Sequence, residues 1–580
     1  MTSALNFSNG STSSSGTTFA GITSGINTTA LVQAEIAQAS GPLQELQAQQ
    51  SANSAESTAL TNLESQMTAL SSAIDNLNTT GLPARVVTST DPNNSYVTAT
   101  ASGGTSGSYQ IQVQNIATDA QLSPTLDSNG NPTNLAVAST TAPVFSGNGP
   151  ATFAIEGTDG VTKQITLTSG QNNINALAAA INAAGVADPN VPGSVGLGVT
   201  ATVVNTGSGP DPYELILQSS KTGVGTAGAN LTIADVTAGG AVNTLGIAAG
   251  TLSSDGSSIA SGGTQSNQAA QNAQFSLDGI QLTRTSNTVT DAVNGVTFNL
   301  LQGNQTGTTT LTVAPDTSTA SQSLQAVVSA YNTLIGTYNT DTTGSGPLAG
   351  NMTATSLMYQ ITSALTGAPA GLAVTSAYNS ASSVGLSVNQ DGTLTLDTTA
   401  FQDAFQADPN DVQNVFATSA TSTNGVVSLA TAGSGTATGA IGFNITSYTS
   451  GGAVAGTITA PDGTQYNLTG TNGMLVGQAG TPLAGLYLNV TGTGTGTLNL
   501  AKGVGQATED AISAMTDPAT GTITQLLKNI TSNNTDLASQ VTIQQNMLNN
   551  MQTSLQNQYS QMEATLAQLQ AAGQSISSLS

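Results

Sequence analysis

The chain has 580 residues, of which only 6% are charged, and its 30 acidic and 6 basic side chains give a formal net charge of −24. Such a chain repels phosphates and anionic lipid headgroups, which argues against binding to nucleic acid or to membrane surfaces. It contains no histidine and no cysteine, which excludes Ser-His-Asp and Cys-His catalysis, imidazole or thiolate metal sites, and disulfides.

The N-terminal segment carries no recognisable targeting signal. The first basic residue is Arg85, and residues 1–16 are rich in Ser and Thr without an apolar stretch. We therefore expect no cleavable secretory signal. No segment approaches the roughly 18 consecutive apolar residues of a membrane helix, so we expect no membrane insertion.

Residues 1–84 are interpreted as an N-terminal arm and a long helix. Residues 28–78 contain Gly and Pro only at Gly41-Pro42, and Gly81 and Pro83 mark the end of the helix. Six apolar residues recur in steps of three and four, as in the a and d positions of a heptad seam. These residues are Leu60, Leu63, Met67, Leu70, Ile74 and Leu77. Upstream, polar Gln50, Asn53 and Ser57 occupy seam positions.

The middle of the chain changes to a period of two, which is typical of strands. Residues 85–315 are predicted to form two nested β-rich head domains, interrupted by one helix over Asn173–Ala184. Residues 316–425 return to helical spacing, with Leu324, Val327 and Tyr331 on one face, and form a helical core segment. Residues 426–500 form an additional β-rich insertion with dense Gly/Thr turns.

Residues 501–580 are predicted to form C-terminal stalk helices and a terminal arm. Their seam is interrupted by Gln544 and Gln558 and consists of Leu537, Val541, Leu548, Met551, Leu555, Met562, Leu566 and Leu569. Lys528 is the last basic residue, so apolar shape and amide hydrogen bonds must select the partner helix. The seams can pair within one chain or, in their outer parts, between copies.

These elements predict an α+β multidomain fold. Its N- and C-terminal helices form a coiled-coil or helix-bundle stalk, and β-rich domains are inserted between them.

Motifs that would carry chemistry are weak. Residues 223–228 match the spacing G-x-G-x-x-G, but a strand-like segment follows where dinucleotide binding needs a helix. Asp391-Gly392 is interpreted as a hairpin turn rather than a calcium loop, because position twelve is Thr398 instead of Glu. Glu509 and Asp510 are interpreted as acidic residues in the first turn of a helix over 506–515, where the helix dipole favours them. We predict no enzyme activity, catalytic residue, cofactor or metal.

Several blocks in fixed order resemble the flagellar hook-associated protein 2 family, the bacterial flagellar filament cap proteins. The N-terminal blocks are Gly25–Val32, Gly41–Leu43, Gly107–Val113, Ile174–Ser220, Phe275–Gly279, Thr283–Asn287 and Gly295–Thr297. The C-terminal blocks are Tyr331–Leu334, Gly346–Gly350, Val384–Leu386, Asp391–Asp397, Phe405, Asp408-Pro409 and Val415-Phe416.

The resemblance implies a structural cap at the distal tip of the flagellar filament. It implies a homo-oligomeric ring, taken as a pentamer, that promotes the insertion and folding of exported flagellin. Hook–filament junction proteins and a type III export chaperone are further implied partners, and export through the flagellar type III pathway without a cleaved signal is implied as well.

The sequence departs from the family pattern in two ways, and two alternative functions stay open beside the cap. The arms have few charges, and residues 426–500 exceed what a minimal cap protein needs. The alternatives are another hook- or filament-associated structural protein, or a flagellar-tip adhesin that binds host or matrix glycans.

Overall fold

The computed structural model describes residues 27–103, 106–147, 149–187, 195–238, 241–372 and 376–577. The described chain divides into two compact units, one of residues 82–320 and the other of the residues before and after them. Both units combine helices and strands, so the α+β class is confirmed. Gly25 and Ile26, which begin the first family-like block, lie outside the described residues.

The first described elements are two helices separated at Ser40, α1 (Thr28–Ala39) and α2 (Gly41–Asn76). Helix α1 begins where the Asn27 side chain accepts a hydrogen bond from the Ala30 N–H at 3.0 Å. Pro42 lies in the first turn of α2, where its missing N–H costs no helical hydrogen bond. One π turn, Leu77–Gly81, extends α2 to its end.

Residues 82–320 are mostly antiparallel strands. In chain order these are β1 (Arg85–Ser89), β2 (Val97–Ala101), β3 (Gly107–Asn115), β4 (Gln121–Leu122), β5 (Ala136–Val137), β6 (Phe145–Gly147), β7 (Ala151–Glu156) and β8 (Thr162–Leu167), followed by helix α3 (Ile174–Gly185). The chain continues with β9 (Val199–Asn205), β10 (Tyr213–Ser219), β11 (Thr232–Asp235), β12 (Ala241–Asn243), β13 (Gly250–Leu252), β14 (Ile259–Gly262) and β15 (Thr264–Gln265). It ends with β16 (Ala273–Leu277), β17 (Ile280–Arg284), β18 (Thr288–Val293), β19 (Val296–Leu300) and β20 (Thr309–Pro315).

Two apolar cores lie within this unit. One combines the sheets β1-β20-β3-β16-β17 and β18-β19-β2, around buried Phe275 and Phe298. The other lies between Ala120 and Ala270 in sequence, and it includes the sheet β15-β11-β7-β8 and the buried face of α3. Helix α3 starts at an Asn173 cap and buries Leu177 and Ile181 against this core.

The remaining unit adds six helices and two strand groups in its described part. Its elements are α4 (Thr317–Thr342), α5 (Met352–Thr366), β21 (Leu386–Val388), β22 (Leu394–Leu396), α6 (Thr398–Ala407), α7 (Pro409–Phe416), β23 (Thr418–Ser422) and β24 (Val427–Thr431). There follow β25 (Gly439–Tyr448), β26 (Val454–Thr459), β27 (Gln465–Gly470), β28 (Met474–Val476), β29 (Tyr487–Val490), β30 (Gly494–Lys502), α8 (Val504–Thr516) and α9 (Thr522–Ser577). The long α4 begins in the other unit and packs on α5, where the hydroxyls of Tyr331 and Thr362 are 2.9 Å apart.

Strands β23 to β30 form two sheets, β23-β30-β25-β26-β27 and β24-β29-β28, around one apolar core. This part, Thr418–Lys502, is called the insertion module below. It begins before Val426 because β23, whose sequence is TSATS, lacks the apolar alternation that marks a strand in the sequence.

The Gly-rich segment of residues 223–228 has a packing role. A Cβ on Gly225 would lie 2.0 Å from the Thr158 carbonyl oxygen, and one on Gly223 would lie 2.5 Å from the Thr285 backbone. The segment leads into β11 rather than a helix. These glycines therefore permit close backbone contact.

Replacing Gly225 with Ala should lower the free energy of unfolding by about 1–3 kcal/mol, because the added methyl overlaps backbone that cannot move freely. Gly170→Ala is the control, since a Cβ at Gly170 meets nothing within 4 Å. Thermal unfolding of both variants is the measurement, and equal melting temperatures would contradict this packing role.

Candidate assembly site

The six seam residues predicted in α2 all lie in the interior of their unit. Leu60, Met67, Leu70 and Leu77 are 0% exposed, and Leu63 and Ile74 are 1% exposed. Helices α8 and α9 both contact α2. Further up α2, polar Gln50, Asn53 and Ser57 are half-buried, so the same face continues with amide and hydroxyl groups.

The ends of the described chain pack against each other as helices. Both α1 and α2 contact α9, and the Tyr559 hydroxyl donates a hydrogen bond to Glu35 Oε1 at 3.2 Å. Partial desolvation, together with the Glu35 carboxylate, raises the pKa of Tyr559. Glu56 of α2 accepts a further hydrogen bond from Asn351 Nδ2 at 2.9 Å. Polar contacts as well as apolar packing thus position the N-terminal helices.

The C-terminal seam is covered only in part. Leu548 is buried, whereas Leu537, Val541, Leu555 and Leu566 are half-buried. Three predicted seam residues are exposed in this single chain: Met551 at 38%, Met562 at 38% and Leu569 at 63%.

Three exposed apolar residues of α9 fall outside the predicted seam. Ile543 is 61%, Met547 57% and Ile576 69% exposed. The spacing of Ile543, Met547 and Met551, four residues each, is a sequence signal that could have revealed a second apolar row. We use the name outer row of α9 for the exposed residues Ile543, Met547, Met551, Met562 and Leu569.

The outer row has few charged neighbours. After Asp536, the only ionisable side chains of α9 are those of Tyr559 and Glu563, and Glu563 is 3% exposed. A surface with this chemistry offers apolar and amide contacts to another helix. Charge pairing cannot select that helix.

Glu509 and Asp510 do not lie in the first turn of their helix, so that prediction was wrong. Helix α8 begins at Val504 and has no acidic residue in its first turn. The Asp510 carboxylate instead accepts a hydrogen bond from Lys502 Nζ at 2.6 Å, which is an ion pair in a mostly buried setting.

Glu509 faces α2 without a matched donor. Its Oε1 atom and Asn78 Oδ1 are both buried and accept no hydrogen bond from the described residues. Burial, followed by repulsion from Asp75 and Asp510, raises the pKa of the Glu509 carboxyl to about 7. A proton on Glu509 therefore stabilises the packing of α8 against α2.

The described residues lack a metal-binding cluster. They contain no group of three or more side chains suited to hold a metal ion. Asp391 closes the β21–β22 hairpin, where it accepts hydrogen bonds from the Thr393 N–H and hydroxyl. None of the described helices has the length and apolar character needed to cross a bilayer.

Comparisons with known proteins identify the chain's relatives. Residues 270–571 match the model of the flagellar hook-associated protein 2 C-terminus, and residues 24–120 match that of its N-terminus. The chain is 27% identical over 371 residues to the B-type flagellar hook-associated protein 2 of Pseudomonas aeruginosa, covering 62% of this chain and 72% of that protein. It is 33% identical over 165 residues to flagellar hook-associated protein 2 of Campylobacter jejuni, covering 26% of this chain and 25% of that protein.

A solved structure is also similar. The D1-D2-D3 domains of the flagellar cap protein FliD from Escherichia coli align with a TM-score of 0.48 and 26% identity, covering 62% of this chain and 89% of that chain.

Replacing both Leu63 and Leu70 with Asp should destabilise the helical unit by about 3–5 kcal/mol per site, because each charge would be buried without a partner. Far-ultraviolet circular dichroism should show a loss of helix. Asn62→Asp with Ala69→Asp is the control, since these positions on α2 are exposed. Unchanged helicity in the Leu variant would show that the seam is not core.

Glu509→Gln should change how stability depends on pH. The ordinary carboxyl pKa is 4.5 and the folded one about 7, so between these values the folded state holds a proton that the unfolded state releases. The stabilisation is complete below about pH 4.5 and is lost as pH rises through 7. Allowing for solvent screening, the parent should lose about 1 kcal/mol more than the variant between pH 5 and 8.

Urea unfolding at both pH values measures this difference. Glu45→Gln is the control, because Glu45 is an exposed carboxylate on α2, the helix against which α8 packs. Parallel pH profiles for the parent and Glu509→Gln would contradict the assignment.

Proposed function

The chain belongs to the flagellar hook-associated protein 2 family and acts in the cap at the tip of the extracellular flagellar filament, and we propose that it assembles through its terminal helices. The observation that carries this proposal is the difference between the two faces of α9. One face packs on α1 and α2, while the outer row remains exposed in a single chain.

The paired helices act as a helix-bundle stalk. Isolated helices with one apolar stripe are unstable in water, so α2 and α9 stabilise each other by burying their stripes together. The arms and the stalk consist of residues 1–84 and 501–580. The helical core segment, residues 316–425, completes the stalk. Residues 85–315 form the nested head domains, and residues 426–500 are an insertion.

The outer row of α9 pairs between copies of the chain. Exposed Ile543, Met547 and Met562 would be covered by a neighbouring helix, and several such contacts made together give a ring high affinity without any strong single contact. A ring of five copies is proposed, and the mass of the oligomer tests that number.

The cap admits and folds exported flagellin through weak contacts. The chain is poor in charge and rich in amide and hydroxyl groups, and such contacts can be made and released repeatedly as the filament grows. Hook–filament junction proteins are further partners, bound through the same weak amide and hydroxyl contacts. Before assembly, a type III export chaperone binds the exposed outer row and accompanies the chain to the flagellar export apparatus.

Removing residues 541–580 should abolish capping, because it deletes the whole outer row and part of the helix that packs on α1 and α2. In a strain that lacks the native protein, the truncated chain should leave unpolymerised flagellin in the medium, whereas the full chain restores filaments. Immunoblotting of the medium and electron microscopy are the measurements. Normal filaments with the truncated chain would contradict the proposal.

A matched pair of variants separates assembly from folding. Met551→Asp with Leu569→Asp places two charges in the outer row, and Asn550→Asp with Gln568→Asp places two charges on exposed neighbours of the same helix. Only the first pair should release flagellin, since only it alters the proposed contact. Equal secretion by both pairs would show that the outer row has no special role.

A further inference from the structure

The insertion module differs from the rest of the chain in its charge. Asp462 and Lys502 are its only charged residues, so its formal charge is zero in a chain that carries −24. Lys502 is 9% exposed and bonds to Asp510 of α8 and to the Ser434 carbonyl. The surface of the module therefore presents one charge, that of Asp462, in the turn before β27.

Three edge strands elsewhere in the molecule carry a basic side chain. An edge strand offers unpaired backbone groups to any other strand, and a charged side chain on the edge opposes such pairing. Arg85 lies in edge strand β1, Lys163 in β8 and Arg284 in β17. These three are half of the chain's six basic residues.

Strand β9 is protected in a different way. The Asn182 side chain of α3 donates a hydrogen bond to the Ala201 carbonyl at 2.8 Å and accepts one from the Ala201 N–H at 2.7 Å. The amide thus occupies the N–H and C=O groups of Ala201, which a further strand would otherwise use.

Strand β27 has none of these features. It is an edge of the sheet β23-β30-β25-β26-β27, and its sequence, QYNLTG, contains no charge and no proline. All six of its residues pair with β26 without a bulge. Gln465, Asn467 and Thr469 are exposed. In an antiparallel pair, alternate residues direct their N–H and C=O groups away from the partner strand, so β27 presents a regular open edge.

The other edge of this sheet is less available. Strand β23 is mostly half-buried, and the hydroxyl oxygens of Thr418 and Ser422 are buried. The open edge of this five-stranded sheet is therefore β27. The module's second sheet ends in β24, whose pairing is irregular between Leu429 and Thr431, and in β28, which has only three residues.

We propose that β27 pairs antiparallel with β27 of a second copy of this chain. A strand edge is complementary to another strand edge, and like strands in antiparallel order satisfy each other's backbone groups about a twofold axis. Two copies that each carry −24 repel least where their facing surfaces are uncharged. Across the axis, the Asn467 and Thr469 side chains meet as polar cross-strand pairs.

This interface is separate from the outer row of α9. A twofold contact joins copies in pairs, whereas a ring closes by repeating one rotation between unlike faces. The β27 contact thus links copies in addition to the ring contact proposed above, and it does not require that contact.

Single cysteines test the pairing in the full chain, which has no native cysteine. Gln465→Cys, Asn467→Cys and Thr469→Cys are compared under mild oxidation with Gln281→Cys, which lies exposed on the protected edge β17. Pairing about a twofold axis should give a disulfide-linked dimer about tenfold faster, or more, at the position nearest the axis than at residue 281. Equal rates at all four positions would overturn the proposal.

Charge substitutions provide a second readout. Asn467→Lys with Thr469→Lys should remove the paired species in sedimentation velocity, and Gln281→Lys should leave it in place, with all chains keeping their circular dichroism spectra. An unchanged mass distribution in the double Lys variant would overturn the β27 interface. If the paired species disappears only when residues 541–580 are removed, the β27 interface is overturned as well. The proposed function would then still stand.

Discussion

Burial of the apolar stripe on α2 is the interaction on which the rest of this molecule depends. Six side chains spaced by three and four residues are 0–1% exposed, and no isolated helix can bury such a stripe. The stripe therefore requires α8 and α9, which lie at the far end of the sequence. Because the two ends of the chain must meet, everything between them is inserted into one helical unit or belongs to the second unit.

The scarcity of charge is the second constraint, and it explains where the few bases lie. With six Lys and Arg residues in 580, the chain cannot use ion pairs as general surface contacts. Arg85, Lys163 and Arg284 are found on edge strands, and Lys502 forms an ion pair with Asp510 at the base of the insertion module. Elsewhere amide, hydroxyl and apolar groups make the contacts, which suits an assembly whose contacts form and release repeatedly.

The sequence could predict the mixed fold and the buried face of α2, because a sustained heptad spacing leaves one side of a helix apolar. It could not tell which C-terminal seam residues are buried in a single chain. Met551 and Leu569 share the spacing of Leu548 but are exposed, because periodicity identifies an apolar face and not the helix that packs on it. The position of Glu509 and Asp510 within α8 was predicted wrongly because Gly503, which precedes the helix, has no capping side chain to mark where the helix begins. The two hydrogen bonds between the Asn182 side chain and the Ala201 backbone depend on a single residue, so no repeating sequence pattern could predict them.

The most direct test of the central claim is the distance between residues 35 and 559 in the monomeric chain. Cysteines at these two positions can carry spin labels without interference, because the chain has no others. Pulsed electron paramagnetic resonance should give one narrow distribution, consistent with helix axes about 10 Å apart and widened by the label arms. A broad distribution at several times that separation would show that the chain's ends do not pack together, and would contradict the account.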